Sequence, residues 1–152
     1  MKKLFLFLIV SGMILSDSIS NKTKDMKKLS GYFNMYWDSS SGKLWLEVDD
    51  FDKEFLYVNS LTAGIGSNDI GLDRGQLGNE RIVFFKRIGP KVLMIQPNYT
   101  YRALTTDKKE KLSVAEGFAK STLWGFEVAA EESRKVLVDA TEFFMQDAHG
   151  LS

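Results

Sequence analysis

The feature that most constrains the fold is a pair of apolar runs separated by a turn signal. Residues 81–87 (RIVFFKR) and 91–96 (KVLMIQ) are rich in β-branched and aromatic residues, and Gly89-Pro90 lies between them. Runs of this length and composition, bounded by glycine and proline, are typical of two β-strands joined in a hairpin. Because four consecutive residues in each run are apolar, 82–85 and 92–95, we expect central strands of a sheet that is covered on both faces.

Further segments on either side of this hairpin also have the composition of strands. They are residues 32–37, 44–48, 55–61, 123–130 and 136–139. The first two flank the turn sequence Ser39–Gly42 and predict a second hairpin. A short helix is predicted from Thr141.

One amphipathic helix is predicted at about 110–121. Asp107 and Glu110 have the spacing of a capping box. Apolar residues then recur on one helical face, at Leu112, Ala115, Phe118 and Ala119. We therefore predict a β-dominated α+β fold, in which antiparallel hairpins form a meander. The meander makes a sheet or partial sandwich, and the helix packs on it.

The composition suits one globular domain and excludes several kinds of site. The chain has 152 residues, of which 44% are hydrophobic and 12% aromatic, enough for a core. Twenty basic and 20 acidic residues give no net charge, so we predict no nucleic-acid partner. The absence of cysteine excludes disulfides, thiolate metal sites, cysteine nucleophiles and iron–sulfur clusters.

The first 20 residues have the three parts of a secretory signal peptide. Met1-Lys2-Lys3 is basic, residues 4–15 are apolar apart from a serine and a glycine, and residues 16–20 are mostly small and polar. The apolar run is shorter than the roughly 20 residues of a membrane span. Ser18-Ile19-Ser20 provides the small residues expected at a cleavage site.

This leader divides the chain into three segments. We predict a signal peptide at 1–20, a polar, flexible linker at 21–29 and a β-rich module at 30–152. No cysteine follows the apolar run, which excludes a lipoprotein anchor. The mature chain is therefore expected to be exported to the periplasm or the exterior, without a membrane span.

The segment from Gly71 to Gly78 (GLDRGQLG) contains the candidate site residues, which are Gly71, Asp73, Arg74, Gly75, Gln76 and Gly78. Glycine at this density indicates sharp turns, positive φ angles or a close approach to the backbone. Just before this segment, Gly64-Ile65-Gly66 could begin the dinucleotide-binding pattern G-x-G-x-x-G, but Asp69 stands where the third glycine is needed. The sequence of a P-loop is also absent. We predict a structural loop whose acid–base pair fixes the backbone or contacts a partner.

The sequence contains no recognisable set of catalytic residues. His149 is the single histidine, whereas a histidine-rich zinc site needs two or three. No G-x-S-x-G elbow presents a serine nucleophile, and Asp49–Asp52 lacks the spacing of a calcium loop. We predict that the chain alone is not an enzyme and has no catalytic, cofactor-binding or metal-binding residues.

Several segments of the chain, in order and at compatible spacing, resemble one family of exported bacterial proteins. They are FDKEFLYVNSL (51–61), GIGSN (64–68), GLDRGQLG (71–78), VFFKRIGPKVL (83–93), QPNY (96–99), STLWGF (121–126), VDATEFF (138–144) and DAHG (147–150). The family comprises the zinc-dependent metallopeptidase-like proteins that carry DUF5118 and DUF5117 domains at their N-terminus.

The resemblance implies that this chain is an N-terminal piece of such a protein. In the family, a metzincin-like H-E-x-x-H-x-x-G-x-x-H motif in a later domain binds zinc. That motif is absent here, so zinc is expected only in the downstream domain, and no ligand can be assigned in this chain. The expected role is a non-catalytic module, truncated at its C-terminus, that packs against or shields its own downstream catalytic domain.

Two surfaces are expected to make this contact, the aromatic hairpin from Tyr32 to Trp45 and the glycine loop. The alternative is a free-standing exported module that binds glycan or peptide. In that case Trp37, Trp45 and tyrosine side chains would be exposed and coplanar, because they would serve as stacking platforms.

Overall fold

The computed structural model describes residues 18–61, 63–64 and 74–147. Eight strands lie within these ranges: β1 Lys27–Leu29, β2 Met35–Asp38, β3 Lys43–Val48, β4 Glu54–Tyr57, β5 Arg81–Ile88, β6 Lys91–Gln96, β7 Ser121–Glu132 and β8 Lys135–Asp139. The helices are α1 Ile19–Thr23, α2 Lys108–Gly117 and α3 Thr141–Met145. None of these helices is long and apolar enough to cross a membrane. The predicted β-dominated α+β class is confirmed.

The strands form one antiparallel sheet in the order β1-β2-β3-β8-β7-β6-β5-β4. Strands β1 to β3 make one meander, and β4 to β8 make a second. Pairing of β3 with β8 joins the two meanders, with Leu46 opposite Val138. The connection from β3 to β4 therefore crosses from the interior of the sheet to its far edge.

Strand β7 bends the sheet because it belongs to both halves of it. Its first part, Ser121–Glu127, pairs with β6, and its last part, Val128–Glu132, pairs with β8. The register shifts in each pairing, and such bulges increase the local twist and bend a strand. The sheet curls so far that Phe33, next to β2, meets Phe55 of the opposite edge strand, with ring centroids 5.0 Å apart.

The concave face of the curled sheet holds the main core. Its buried residues come from β3, β5, β6, β7 and β8 and from the residue after β8: Leu46, Val48, Val83, Phe85, Val92, Met94, Phe126, Val136, Val138 and Ala140. In β5, three successive residues, 83–85, are buried. Since neighbouring side chains of a strand point to opposite faces, both faces are covered there, as predicted.

A second, smaller core lies on the convex face under α1. Ile19 of this helix is 4% exposed and packs with Tyr36, Trp45, Ala130 and Leu137. This small core connects the start of the described chain to four strands of the sheet, β2, β3, β7 and β8.

The segment 21–29, which we expected to be a flexible linker, contains secondary structure. Helix α1 extends to Thr23, and β1 pairs with β2 through Lys27 and Trp37. The lysine-rich composition concealed this because Ile19 and Thr23, four residues apart, form a buried face while the lysines lie outside. Of the predicted signal peptide, residues 1–17 lie outside the described residues, Ser18 is the N-cap residue of α1, and Ile19 and Ser20 are the first two residues of that helix.

Helix α2 is shorter than predicted and stays at the surface. Asp107 caps it as expected, accepting a hydrogen bond from the Lys109 backbone at 2.7 Å. None of the helical residues is buried, so α2 does not form the packed layer that we predicted. The helix ends at Gly117, and Phe118 leaves it to stack on Tyr101, with ring centroids 3.9 Å apart. The predicted apolar stripe is thereby interrupted.

Replacing Ile19 with alanine tests whether α1 belongs to the folded domain. We expect Ile19→Ala to lower the free energy of unfolding by about 2–4 kcal/mol, because it leaves a cavity beneath α1. Leu29→Ala, at a 38% exposed position in β1, is the control and should cost under about 1 kcal/mol. Urea denaturation measures both values, and equal effects would contradict the packing of α1.

Candidate functional site

Backbone hydrogen bonds between residues 59–61 and 75–78 close the C-terminal end of the predicted glycine loop. They run from Leu61 N to Gln76 O at 3.0 Å, Gly75 N to Leu61 O at 2.7 Å and Gly78 N to Asn59 O at 2.8 Å. Ser60 and Leu77 form an isolated antiparallel bridge between the same segments. The segments on either side of the loop thus extend the pairing of β4 with β5.

Two of the predicted glycines have a local structural reason. Gly75 has φ +81°, in the left-handed region that other residues adopt at a cost. A Cβ atom at Gly78 would lie 2.5 Å from the Asn59 side chain. Arg74 and Gln76 are exposed, whereas Gly71 and Asp73 lie outside the described residues. The loop closure is structural at this end, and contact of the loop with a partner stays a prediction.

On the convex face, Glu47 is a buried carboxylate near the end of β3, with 5% of its surface exposed. Tyr36 Oη donates a hydrogen bond to its Oε2 atom at 2.7 Å. Lys135 Nζ and Asn34 Nδ2 donate to Oε1 at 2.8 and 3.3 Å. A buried charge is tolerated when it is paired and hydrogen-bonded, and both oxygens of Glu47 meet that condition.

The pKa values of Glu47, Tyr36 and Lys135 are all shifted away from neutral pH. Burial by itself raises the pKa of Glu47, but the hydrogen bonds from Lys135, Tyr36 and Asn34 outweigh it and hold that pKa below the usual value. Burial, together with the neighbouring Glu47, raises the pKa of Tyr36 to about 12. The hydrogen bond to Glu47 raises the pKa of Lys135. None of these three groups is poised for proton transfer near pH 7, so the arrangement suits a structural role.

Glu132 at the end of β7 holds α1 from the other side of the same region. Its Oε2 atom accepts hydrogen bonds from Ser18 Oγ at 2.9 Å, Ser20 N at 2.9 Å and Ser20 Oγ at 2.8 Å. These hydrogen bonds lower the pKa of Glu132. A cavity of about 280 Å³ lies between this carboxylate, Glu47 and α1. Polar contacts therefore complement the burial of Ile19.

On the concave face the sheet leaves a groove of about 320 Å³, which we call the aromatic groove. Five phenylalanines lie in its walls: Phe33, Phe55, Phe85, Phe126 and Phe143. Tyr32 and Phe144, which also line it, are 72% and 52% exposed. Helix α3 forms one wall, since Phe143 and Phe144 belong to it. This exposed apolar surface makes the groove a candidate site for ligand or protein contact.

The predicted contact hairpin divides between the two faces of the sheet. Tyr32, Phe33 and Met35 line the aromatic groove. Trp45 is 7% exposed under α1, so it is not available as a stacking platform for glycan. Trp37 is 39% exposed. Alternation along a strand separates these side chains, because neighbouring residues point to opposite faces.

Sequence reasoning missed two features of these sites. The segment LWLEV (44–48) places Glu47 on the face of the buried Trp45, and an alternation count could have indicated an inward-facing carboxylate. The sequence near Phe143 and Phe144 could not show that they form a wall of the groove, because this depends on where α3 packs against the sheet.

The described part of the chain has no group of three or more histidine, cysteine, aspartate or glutamate side chains that could hold a metal ion. His149 lies outside it. The residues that the structure describes therefore do not fit a zinc site, and the absence of zinc from the whole chain stays a prediction.

Substituting Gly75 tests the strain at the loop closure. We expect Gly75→Ala to lower the free energy of unfolding by about 1–2 kcal/mol, because alanine is disfavoured at a φ of +81°. Gly117→Ala is the matched control, since it lies at the end of α2 with open space around it and no positive φ. That control should be neutral or stabilising. Thermal unfolding compares the two, and a tolerated Gly75→Ala would contradict the assigned geometry.

The lowered pKa of Glu47 predicts a dependence of stability on pH. Its carboxylate stabilises the fold above the ordinary value of 4.5, and that stabilisation is lost as the pH falls through the lower folded pKa. We expect Glu47→Gln to cost about 1–3 kcal/mol at pH 7 and progressively less towards pH 3. Urea denaturation across this range measures the difference. A cost independent of pH would show that Glu47 does not act through its charge.

Comparison with known protein families divides the chain between β4 and β5. Residues 17–64 match the family described as a domain of unknown function, DUF5118. Residues 75–152 match a second such family, DUF5117. No curated protein matches the chain, and no solved structure matches it. The second match covers the aromatic groove's β5, β6, β7 and α3 and more than half of the sequence, so the chain belongs to the DUF5117 family and carries a DUF5118 domain before it.

Proposed function

We propose that this chain is the non-catalytic N-terminal module of an exported zinc-dependent metallopeptidase-like protein. In this proposal the aromatic groove docks an apolar segment of the downstream catalytic domain and so positions or shields that domain. The observation that carries the proposal is the groove itself, an opening of about 320 Å³ in the main core with exposed aromatic residues at its rim.

The chemistry of the groove favours an apolar occupant. Its lining consists of glycine, aliphatic residues, methionine, phenylalanine and tyrosine, and includes no aspartate, glutamate, lysine, arginine or histidine. A charged ligand would lose its hydration there without gaining a charged partner. Apolar side chains gain about 25 cal/mol for each Å² that they remove from water. The volume suits a few side chains of a docked segment better than a folded surface.

The position of α3 favours an occupant from the same polypeptide. Phe143 and Phe144 lie in the groove wall and rim, only a few residues before Asp147, where the described part ends. Met145, the last residue of α3, is 77% exposed at the same end. A domain that follows in the chain is therefore attached near the rim. Its effective concentration at the groove would be in the millimolar range for a short flexible connection.

The alternative, a free-standing module for glycan or peptide, has less support. Trp45 is buried, and an extended glycan platform would have to be built from other residues. Of the predicted platform residues, Trp37 is 39% exposed, and Tyr101 uses one face of its ring to stack on Phe118.

The proposal is tested by measuring how the chain associates with a zinc peptidase domain from a longer protein that carries both domain families. Calorimetry gives the affinity, and hydrolysis of a peptide substrate gives the activity with and without the module. We expect Phe144→Ser, at the 52% exposed groove rim, to weaken association at least tenfold, roughly 1.4 kcal/mol. Leu104→Ser, at a 96% exposed position outside the groove, is the matched control and should change nothing.

Two outcomes would contradict the proposal. One is the absence of both association and any change in peptidase activity. The other is equal weakening by Phe144→Ser and Leu104→Ser, which would show that the contact is not made by the aromatic groove.

A further inference from the structure

We propose that the leader is removed between Ser18 and Ile19, and that Glu132 holds the amino group of the mature chain. The inference rests on the export that the proposed function includes. It identifies a processing site and an anchor for the new N-terminus, neither of which the groove involves.

The packing of Ile19 requires that this residue stay in the mature chain. Its side chain is 4% exposed and belongs to the core under α1, with Tyr36, Trp45 and Leu137. A cut after Ser20 would remove this side chain and leave only three residues of α1. It would also remove every hydrogen bond that Ser18 and Ser20 make to Glu132. The DUF5118 match, which starts at residue 17, likewise includes Ile19 in the domain.

The sequence around Ile19 offers a cut that keeps it. Leader cleavage requires small residues at the first and third positions before the cut. Ser16 and Ser18 satisfy this for a cut after Ser18, and Ser18 and Ser20 satisfy it for a cut after Ser20. A cut after Ser16 would place Ile14 at the third position, which is not small. The cut after Ser18 therefore combines a suitable sequence with an intact core.

Glu132 is placed to receive the amino group that this cut creates. Ser18 Oγ and Ser20 N both contact the same oxygen of Glu132, each at 2.9 Å, and the Ile19 nitrogen lies between them in the chain. Hydrolysis of the Ser18–Ile19 bond releases the leader as a carboxylate and leaves an ammonium on Ile19. The ammonium replaces the lost serine hydroxyl with a charged donor, and charge-assisted hydrogen bonds are the stronger kind.

The processing site is tested on the full chain, expressed with its leader in a bacterium and recovered from the exported fraction. Intact mass spectrometry and N-terminal sequencing identify the first residue, which we expect to be Ile19. A first residue of Asn21 or Asp17 would overturn the inference and leave the export proposal standing. A chain found only in the cytoplasm and starting at Met1 would overturn both.

A matched pair of variants separates the two serine-flanked cuts without depending on folding, because the leader is cut during translocation. Ser16→Tyr blocks the third position before the proposed cut, and Ser20→Tyr blocks the first position before the rival cut. We expect Ser16→Tyr to reduce the amount of chain starting at Ile19 at least tenfold and Ser20→Tyr to leave it unchanged. The reverse pattern would overturn the inference.

Discussion

Strand β7 pairs with β6 along its first half and with β8 along its second, and the register shifts in both pairings. The rest of the structure depends on this shared strand. It turns an open antiparallel sheet into a curled one, so that β8 can pair with β3 and the two meanders share one core. The same curvature brings Phe33 to Phe55 across the concave face. The aromatic groove therefore results from the curled sheet, which brings its two edges close together without covering the core between them.

The convex face is held together differently, through polar groups beneath and beside a helix of five residues. Glu47 is fully hydrogen-bonded, but its removal from water has a cost that an apolar residue would avoid. The arrangement does discriminate between registers, because a shift of β3 by one residue would move Glu47 into the concave core. Tyr36 and Lys135 then fix which strands flank it. With Glu132 bound to Ser18 and Ser20, the same face holds the start of α1 against the end of β7.

The two faces suggest different contributions to function. The convex cluster keeps its groups firmly charged or firmly neutral at pH 7, which suits stability and gives no acid or base for catalysis. The concave groove exposes apolar area that a partner would cover, and α3 leads the chain to its rim. This is the basis for proposing that the module serves a catalytic domain elsewhere in the same protein.

The sequence by itself determined the local structure: the strand segments, the hairpin at Gly89-Pro90, the Asp107 cap and the need for glycine at positions 75 and 78. These features depend on residues close together in the chain. The alternation of apolar and polar residues and the presence of turn-forming residues therefore predict them. The predictions for segment 21–29 and for the packing of α2 were wrong, because burial depends on which residues from other parts of the chain pack against a segment. Only the tertiary structure decided that Ile19 is core, that Glu47 has three hydrogen-bond partners and that six phenylalanines border one groove. These results depend on contacts between segments distant in sequence, such as those of Ile19 with Leu137, Glu47 with Lys135 and Phe33 with Phe55.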